Sequence, residues 1–209
     1  MYLKLLLLAL SLCWLPLNIR AAEDSEYEKI VRYWNGISSF QAQFEQYGSD
    51  GVVRNGNIYM VKSGAKVKLE YLSPNKMLVV SRNKKVMYYN EDLDEISYVS
   101  LESSPIDILA ATIVGSSKEV QVDSYVKEEG YSKLRVKALK YVNTSNSQSH
   151  SSEATLVFKN TPLALVKIEV VDQDGNKVEV WFSDVSVNHS IDNAVFSFKN
   201  PKFFRDRRD

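Results

Sequence analysis

Cysteine is almost absent from these 209 residues: the chain has one, Cys13. It sits in an apolar run, Leu5–Leu17, of about 13 residues, broken by Pro16 and preceded by the basic start Met1–Lys4. That run is shorter than the roughly 20 residues a bilayer span needs. Ala21-Ala22 and an acidic stretch follow, so the layout predicts a cleaved secretory leader over residues 1–21, with an uncleaved anchor as the alternative. Leu12 stands where a lipidated cysteine would need a small residue, so Cys13 is read as part of the discarded leader. The processed chain then has no thiol, which excludes disulfides and cysteine-ligated metal sites.

Histidine is nearly as scarce. His150 lies in a Ser/Asn-rich stretch and His189 near a predicted strand end. Neither belongs to a His-Glu-x-x-His or pairs with a Gly-x-Ser-x-Gly elbow, and no Gly-rich phosphate loop is present. Asp172 and Asp174 flank a turn beside Gly175 and are read as turn formers, not as a carboxylate pair. No catalytic residue, metal site or cofactor is expected. Removing Lys4 and Arg20 with the leader leaves 24 basic against 26 acidic side chains, a net charge near −2. That balance argues against a nucleic-acid partner, and Arg205, Arg207 and Arg208, interleaved with acids, read as a solvated tail. With 8 glycines and 5 prolines and no linker rich in either, residues 22–209 are expected to form one domain. The low-complexity stretch Asn143–Ser152 reads as a hairpin loop within it.

What the chain does have is alternation. In Lys66–Leu72, Val67, Leu69 and Tyr71 alternate with Lys66, Lys68 and Glu70, the period of a strand with one apolar and one wet face. Ser73-Pro74-Asn75, Arg82-Asn83-Lys84 and Asn90-Glu91-Asp92 punctuate further runs at Met77–Val80, Val86–Tyr89 and Ile96–Leu101. Upstream, Phe40, Ala42 and Phe44 share one face of Ser39–Gln46, and Ile58 and Met60 one face of Val53–Val61. Downstream come Glu119–Val126, Tyr131–Leu139 with Leu134 and Val136, Glu153–Lys159, Leu163–Val171, Lys177–Val187 and a last short strand Ala194–Phe198. Two helices interrupt the series. Glu23–Ile37 carries Tyr27, Ile30, Val31, Trp34 and Ile37 at helical spacing. Ser103-Ser104 before Pro105 caps a short apolar helix with Ile106, Ile108, Leu109 and Ile113, ending at Gly115, of the kind that covers something. The fold class is mainly β, about 11 or 12 antiparallel strands that must curl toward a barrel.

The ordered set Gly56-Asn57-Ile58-Tyr59, Lys62-Ser63-Gly64, Leu69-Glu70-Tyr71-Leu72-Ser73-Pro74, Leu78–Ser81, Val86–Asn90, Asp92-Leu93-Asp94 and Phe196-Ser197-Phe198…Pro201 resembles the LolA periplasmic lipoprotein carriers. The resemblance implies an unclosed antiparallel β-barrel capped by short helices, with an apolar cavity for the acyl chains of lipoproteins. It implies a monomeric periplasmic shuttle, loaded by an inner-membrane LolCDE-type transporter and unloaded to LolB or an equivalent outer-membrane acceptor. The expected cavity lining is Phe40, Phe44, Ile58, Met60, Val67, Leu69, Tyr71, Leu134 and Val136, under a lid of Ile106, Ile108, Leu109 and Ile113. One departure stands out: the family typically has Arg-Pro-Gly where this chain has Lys62-Ser63-Gly64. The resemblance gives Lys62 the role of lid latch, as a point donor in place of a planar fork, with Lys66 as the rival position. Two other readings stay open: a lipid- or glycolipid-binding or lipoprotein-sensing module on the same half-barrel, and a closed barrel with a dry core.

Overall fold

Ser25 starts the first helix. Its hydroxyl accepts a hydrogen bond from the Glu28 N–H (3.3 Å) and the Glu28 carboxylate accepts one from the Ser25 N–H (3.0 Å), a reciprocal cap. The helix α1 therefore runs Glu26–Asn35, inside the predicted Glu23–Ile37, and ends where the Gly36 N–H turns back to the Arg32 carbonyl (2.9 Å). Ile30 and Trp34 are its buried stripe. The computed structural model describes residues 25–82, 85–100, 120–138, 152–171 and 176–198. The expected leader, the lid helix with Ile106, Ile108, Leu109 and Ile113, the loop over 143–151 and the basic tail lie outside them.

The alternating runs become β1 (Ser39–Tyr47), β2 (Val53–Val61), β3 (Lys66–Ser73), β4 (Met77–Arg82), β5 (Lys85–Asn90) and β6 (Glu95–Ser100). They continue as β7 (Val120–Glu128), β8 (Tyr131–Ala138), β9 (Ser152–Asn160), β10 (Leu163–Val171) and β11 (Lys177–Val187). All pairings are antiparallel, in one 11-stranded sheet ordered β6-β5-β4-β3-β2-β1-β11-β10-β9-β8-β7. The chain thus folds as two meanders, β1–β6 and β7–β11, joined where β1 pairs with β11. Among the described residues β6 and β7 are unpaired edges, so the sheet does not close.

One expected strand is absent. Ala194–Phe198 begins instead as a short 3-10 helix, Asn193–Phe196, whose entry is capped by the Asp192 carboxylate accepting from the Ala194 N–H at 2.9 Å. β11 already has β1 and β10 on its two sides, so no ladder beside it is free for a further strand. The segment crosses to β3 and β4 instead.

The curl of the sheet is visible in what α1 touches. At its first turn Glu26 pairs with Lys127 of β7, and the Tyr27 ring meets that of Tyr125, 5.4 Å between centroids. At its other end the Asn35 carbonyl accepts from Lys62, just past β2 (3.3 Å). A ten-residue helix is about 15 Å long, whereas six strand spacings are about 29 Å along the sheet. The helix reaches both because it lies as a chord inside the arc. Bulges at Gln41/Gln43, Asn55/Gly56, Val122/Ser124 and Leu165/Lys167 add the local twist that such curvature needs.

The concave face carries the core. Phe40, Met60 and Val67 sit abreast on β1, β2 and β3, and Ala42, Ile58, Leu69 and Val79 form the next row. Leu134, Leu156, Ile168 and Val180 form the matching row across β8 to β11. Phe44 and Tyr71 flank Gly56, and their rings meet edge-on, 5.2 Å apart. A Cβ at Gly56 would lie 1.9 Å from the Glu70 carbonyl oxygen. Gly56→Ala is therefore expected to cost about 2 kcal/mol or more, because the clash is with backbone that cannot swing away. Urea denaturation followed by tryptophan fluorescence measures this as a lowered midpoint.

Candidate functional site

Strand parity sorts the expected lining residues. Phe40, Phe44, Ile58, Met60, Val67, Leu69 and Tyr71 all lie on the concave face, and the β1/β11 register carries that face through Phe44 and Phe182. From there it continues to Leu134 and Val136. All but Tyr71, which is partly buried, are closed off from solvent, and they form one cluster with Ile30 and Trp34 of α1. The two halves of the face differ in what covers them. The β7–β10 half holds α1, with Tyr27 on Tyr125 and Tyr33 edge-on to Phe158 of β9 at 6.1 Å. The β1–β5 half presents Ile58, Leu69, Val79 and Tyr88 in register, with Met77 on the same face.

A set of polar groups lies at each end of this face. At one end the Tyr71 hydroxyl donates to Gln46 Oε1 (2.9 Å), and nearby Arg54 pairs with Asp50 at 2.6 Å, an ion pair that lowers the Asp50 carboxyl pKa. Desolvation, with a lesser contribution from the neighbouring Tyr88, pushes the Tyr71 pKa up to about 12. At the other end a depression of about 640 Å³ is lined by Ser38, Ser39, Lys62, Ser63, Asn188 and His189 among others. Asn188 Oδ1 there accepts from both the N–H (2.7 Å) and the hydroxyl (2.9 Å) of Ser38. His189 is exposed and exchanges a hydrogen bond with Ser186 through Nδ1 (2.8 Å).

The two lysines that compete for the latch position part company. Lys62 Nζ donates to the Asn35 carbonyl, a cation at the negative end of α1, on the concave side of the rim. Lys66 Nζ donates to Asn193 Oδ1 (2.6 Å), on the segment that crosses the outer face. The lid that Lys62 was expected to reach lies outside the described residues.

Sequence reasoning missed the outer surface. Val80, Met87 and Phe196 are buried on the side opposite the main core, and Phe198 stacks against Tyr89 at 5.2 Å, so the C-terminal crossing covers the back of β3–β5. Behind β10 and β11, Lys167 lies 4.5 Å from the Trp181 ring centroid and pairs with Glu169 and Glu179, while Lys177 bridges the same two acids. The Lys-x-Glu pattern repeated at 167–169 and 177–179 was the available signal. Among the described residues no three His, Cys, Asp or Glu side chains are grouped to hold a metal ion, and no helix is long and apolar enough to cross a membrane.

An open, curled antiparallel sheet with a largely apolar concave face defines a half-barrel of the kind that holds an apolar ligand. The sequence model of the family described as outer membrane lipoprotein carrier protein LolA matches residues 35–199, and the chain belongs to that family. An outer-membrane lipoprotein carrier protein of Chromohalobacter salexigens is 26% identical over 194 residues, covering 90% of this chain and 89% of its own length. One from Neisseria meningitidis is 23% identical over 198 residues, covering 92% of each. The crystal structure of a LolA superfamily protein from Nitrosomonas europaea aligns over 81% of this chain and 96% of its own, at a TM-score of 0.43 and 9% identity.

The Tyr71 hydroxyl gives a pH signature for this face. Its folded pKa is raised from 10.0 to about 12, so between those values the unfolded chain has lost a proton that the folded chain keeps. Stability must fall as pH rises through that window, by about 2–3 kcal/mol from this group. Tyr71→Phe is expected to lose that part of the alkaline dependence, read from urea midpoints between about pH 9 and about pH 12.

Proposed function

We propose that this protein is a periplasmic carrier that takes the acyl chains of lipoproteins onto its concave face and moves them from the inner to the outer membrane. The observation that carries the reading is the register of Phe40, Phe44, Ile58, Met60, Val67, Leu69 and Tyr71 across three strands, one continuous and largely apolar surface. Leu134 and Val136 extend it toward the part occupied by α1. Membership of a binding and transport family supports it, as does the expected export leader at residues 1–21. In this reading an inner-membrane LolCDE-type transporter loads the carrier, LolB or an equivalent acceptor unloads it, and the carrier works as a monomer. Ile106, Ile108, Leu109 and Ile113 act as a lid, and Lys62 is the latch residue at the rim.

The energetics fit a shuttle. Each buried methylene is worth about 0.8 kcal/mol, so a chain of about 16 carbons represents roughly 12 kcal/mol of gross transfer. The carrier must hold that chain out of water yet bind it less well than the acceptor does. A face whose own side chains bury one another when empty meets both demands, since loading replaces one set of apolar contacts by another.

Leu69→Lys places a charge in the middle of this face while leaving the ladder intact. It is expected to weaken binding of a fluorescent acyl probe at least tenfold, with far-UV circular dichroism unchanged. Binding equal to the parent would remove Leu69 from the site, and outright unfolding would favour a dry core.

A further inference from the structure

We infer that the basic tail, residues 199–209, docks on the outer face at the β5/β6 corner, with Phe203 and Phe204 on an apolar strip there and the arginines against the adjoining acidic turn. The point where the described chain stops gives the direction. Asn193 bonds Lys66 at the start of β3, and Phe198 ends the crossing on Tyr89, one residue before the end of β5. The segment therefore runs diagonally over β3–β5, toward β6 and the turn after β5. The family match stops at residue 199, so the pattern that identifies the carriers assigns nothing to the residues that follow.

Two features of that corner complement the tail. The first is apolar. In register, Tyr89 lies between Leu78 of β4 and Ile96 of β6, and Met87 lies between Val80 and Tyr98, so both outer rows run on to the edge strand. The crossing buries Val80 and Met87, but Leu93 and Tyr98 are each 64% exposed, the highest values among the large apolar side chains described. An apolar strip left open beside a covered one is where a further segment gains most by docking. The second feature is charge. Glu91, Asp92, Asp94 and Glu95 place four carboxylates in and beside the β5–β6 turn, and the Tyr89 hydroxyl donates to Asp94 (3.2 Å), which joins turn to strip. The tail carries Lys199, Lys202, Arg205, Arg207 and Arg208 against Asp206 and Asp209. Pro201 favours an extended Asn200. Five extended residues from Phe198 to Phe203 span about 17 Å, whereas β6 lies only about 5 Å beyond β5. Docking covers the outer strip, and it does not depend on lipid binding.

A nitroxide on Asp209→Cys of the leaderless chain, which has no other cysteine, tests this by NMR. Docking is expected to lower the amide signals of Leu93, Ile96 and Tyr98 at least twofold, while Lys167 and Trp181 on β10 and β11 keep theirs. Phe203→Ser with Phe204→Ser is expected to restore the three signals, and Glu91→Gln with Glu95→Gln to restore them in part. No broadening, or equal broadening at Trp181, overturns the docking. Broadening that survives the phenylalanine substitutions overturns the apolar anchor, and broadening that survives the loss of Glu91 and Glu95 overturns the charge pairing. Isotope-labelled chain without nitroxide, mixed with spin-labelled chain, is expected to show no broadening. Broadening in that mixture assigns the corner to a second copy and overturns docking within the chain. The spectrum of each variant reports whether its fold is kept. No acyl probe is present, so failure of the carrier reading leaves the result standing.

Discussion

The burial of Ile30 and Trp34 against the inside of a curved sheet is the contact on which the rest of the structure depends. A sheet of eleven strands twists, and its inner face must be filled or it leaves a void lined by Val, Leu and Phe. α1 fills part of that space with the stripe its sequence supplies at positions 30 and 34. The β1–β5 part of the concave face, with Ile58, Leu69 and Val79, is buried as well. In the proposed function this continuous apolar inner face, dry at rest, is the surface offered to the cargo.

The outer face is managed differently, because it must meet water without inviting a second sheet. Lysines and glutamates alternate across β10 and β11, and the Glu179 carboxyl is held below its ordinary pKa, chiefly by the Lys177 hydrogen bond. Exposed pairs of this kind contribute little to stability. Their use is to keep the surface charged, with the Lys167 ammonium also lying over the Trp181 ring. Behind β3–β5, where Val80 and Met87 are apolar, the chain's own C-terminal crossing does the covering with Phe196 and Phe198.

Much of this was legible in the sequence, for reasons that can be named. Period-two alternation in Lys66–Leu72 fixes both a strand and the face of Leu69, because a slip by one residue would expose every apolar side chain. The hairpins were legible because their turns are local. What escaped were the facts set by distant parts of the chain. Ala194–Phe198 has the composition of a strand, but β11 has no free side, and no reading of residues 194–198 reveals that. Lys62 reads as a latch by resemblance, yet its bond to Asn35 depends on where the sheet's curl carries α1. Val80 and Met87 face away from the main core, and only the C-terminal crossing shows why they are apolar.

The meeting of the first strand with the last has a consequence for the order in which the molecule comes together. Ser38 and Asn188 bond across a separation of 150 residues, and Phe40 faces Val187 in the same region. Hairpins within each meander form from neighbours in microseconds, but a contact this distant waits on the closure of a long loop. Until the last strand is available, β1 lacks one partner and the core has no closed side. The chain therefore stays uncommitted until it has been made nearly to its end. A fastening between two strands so far apart in the sequence thus keeps the inner face open until synthesis is nearly complete.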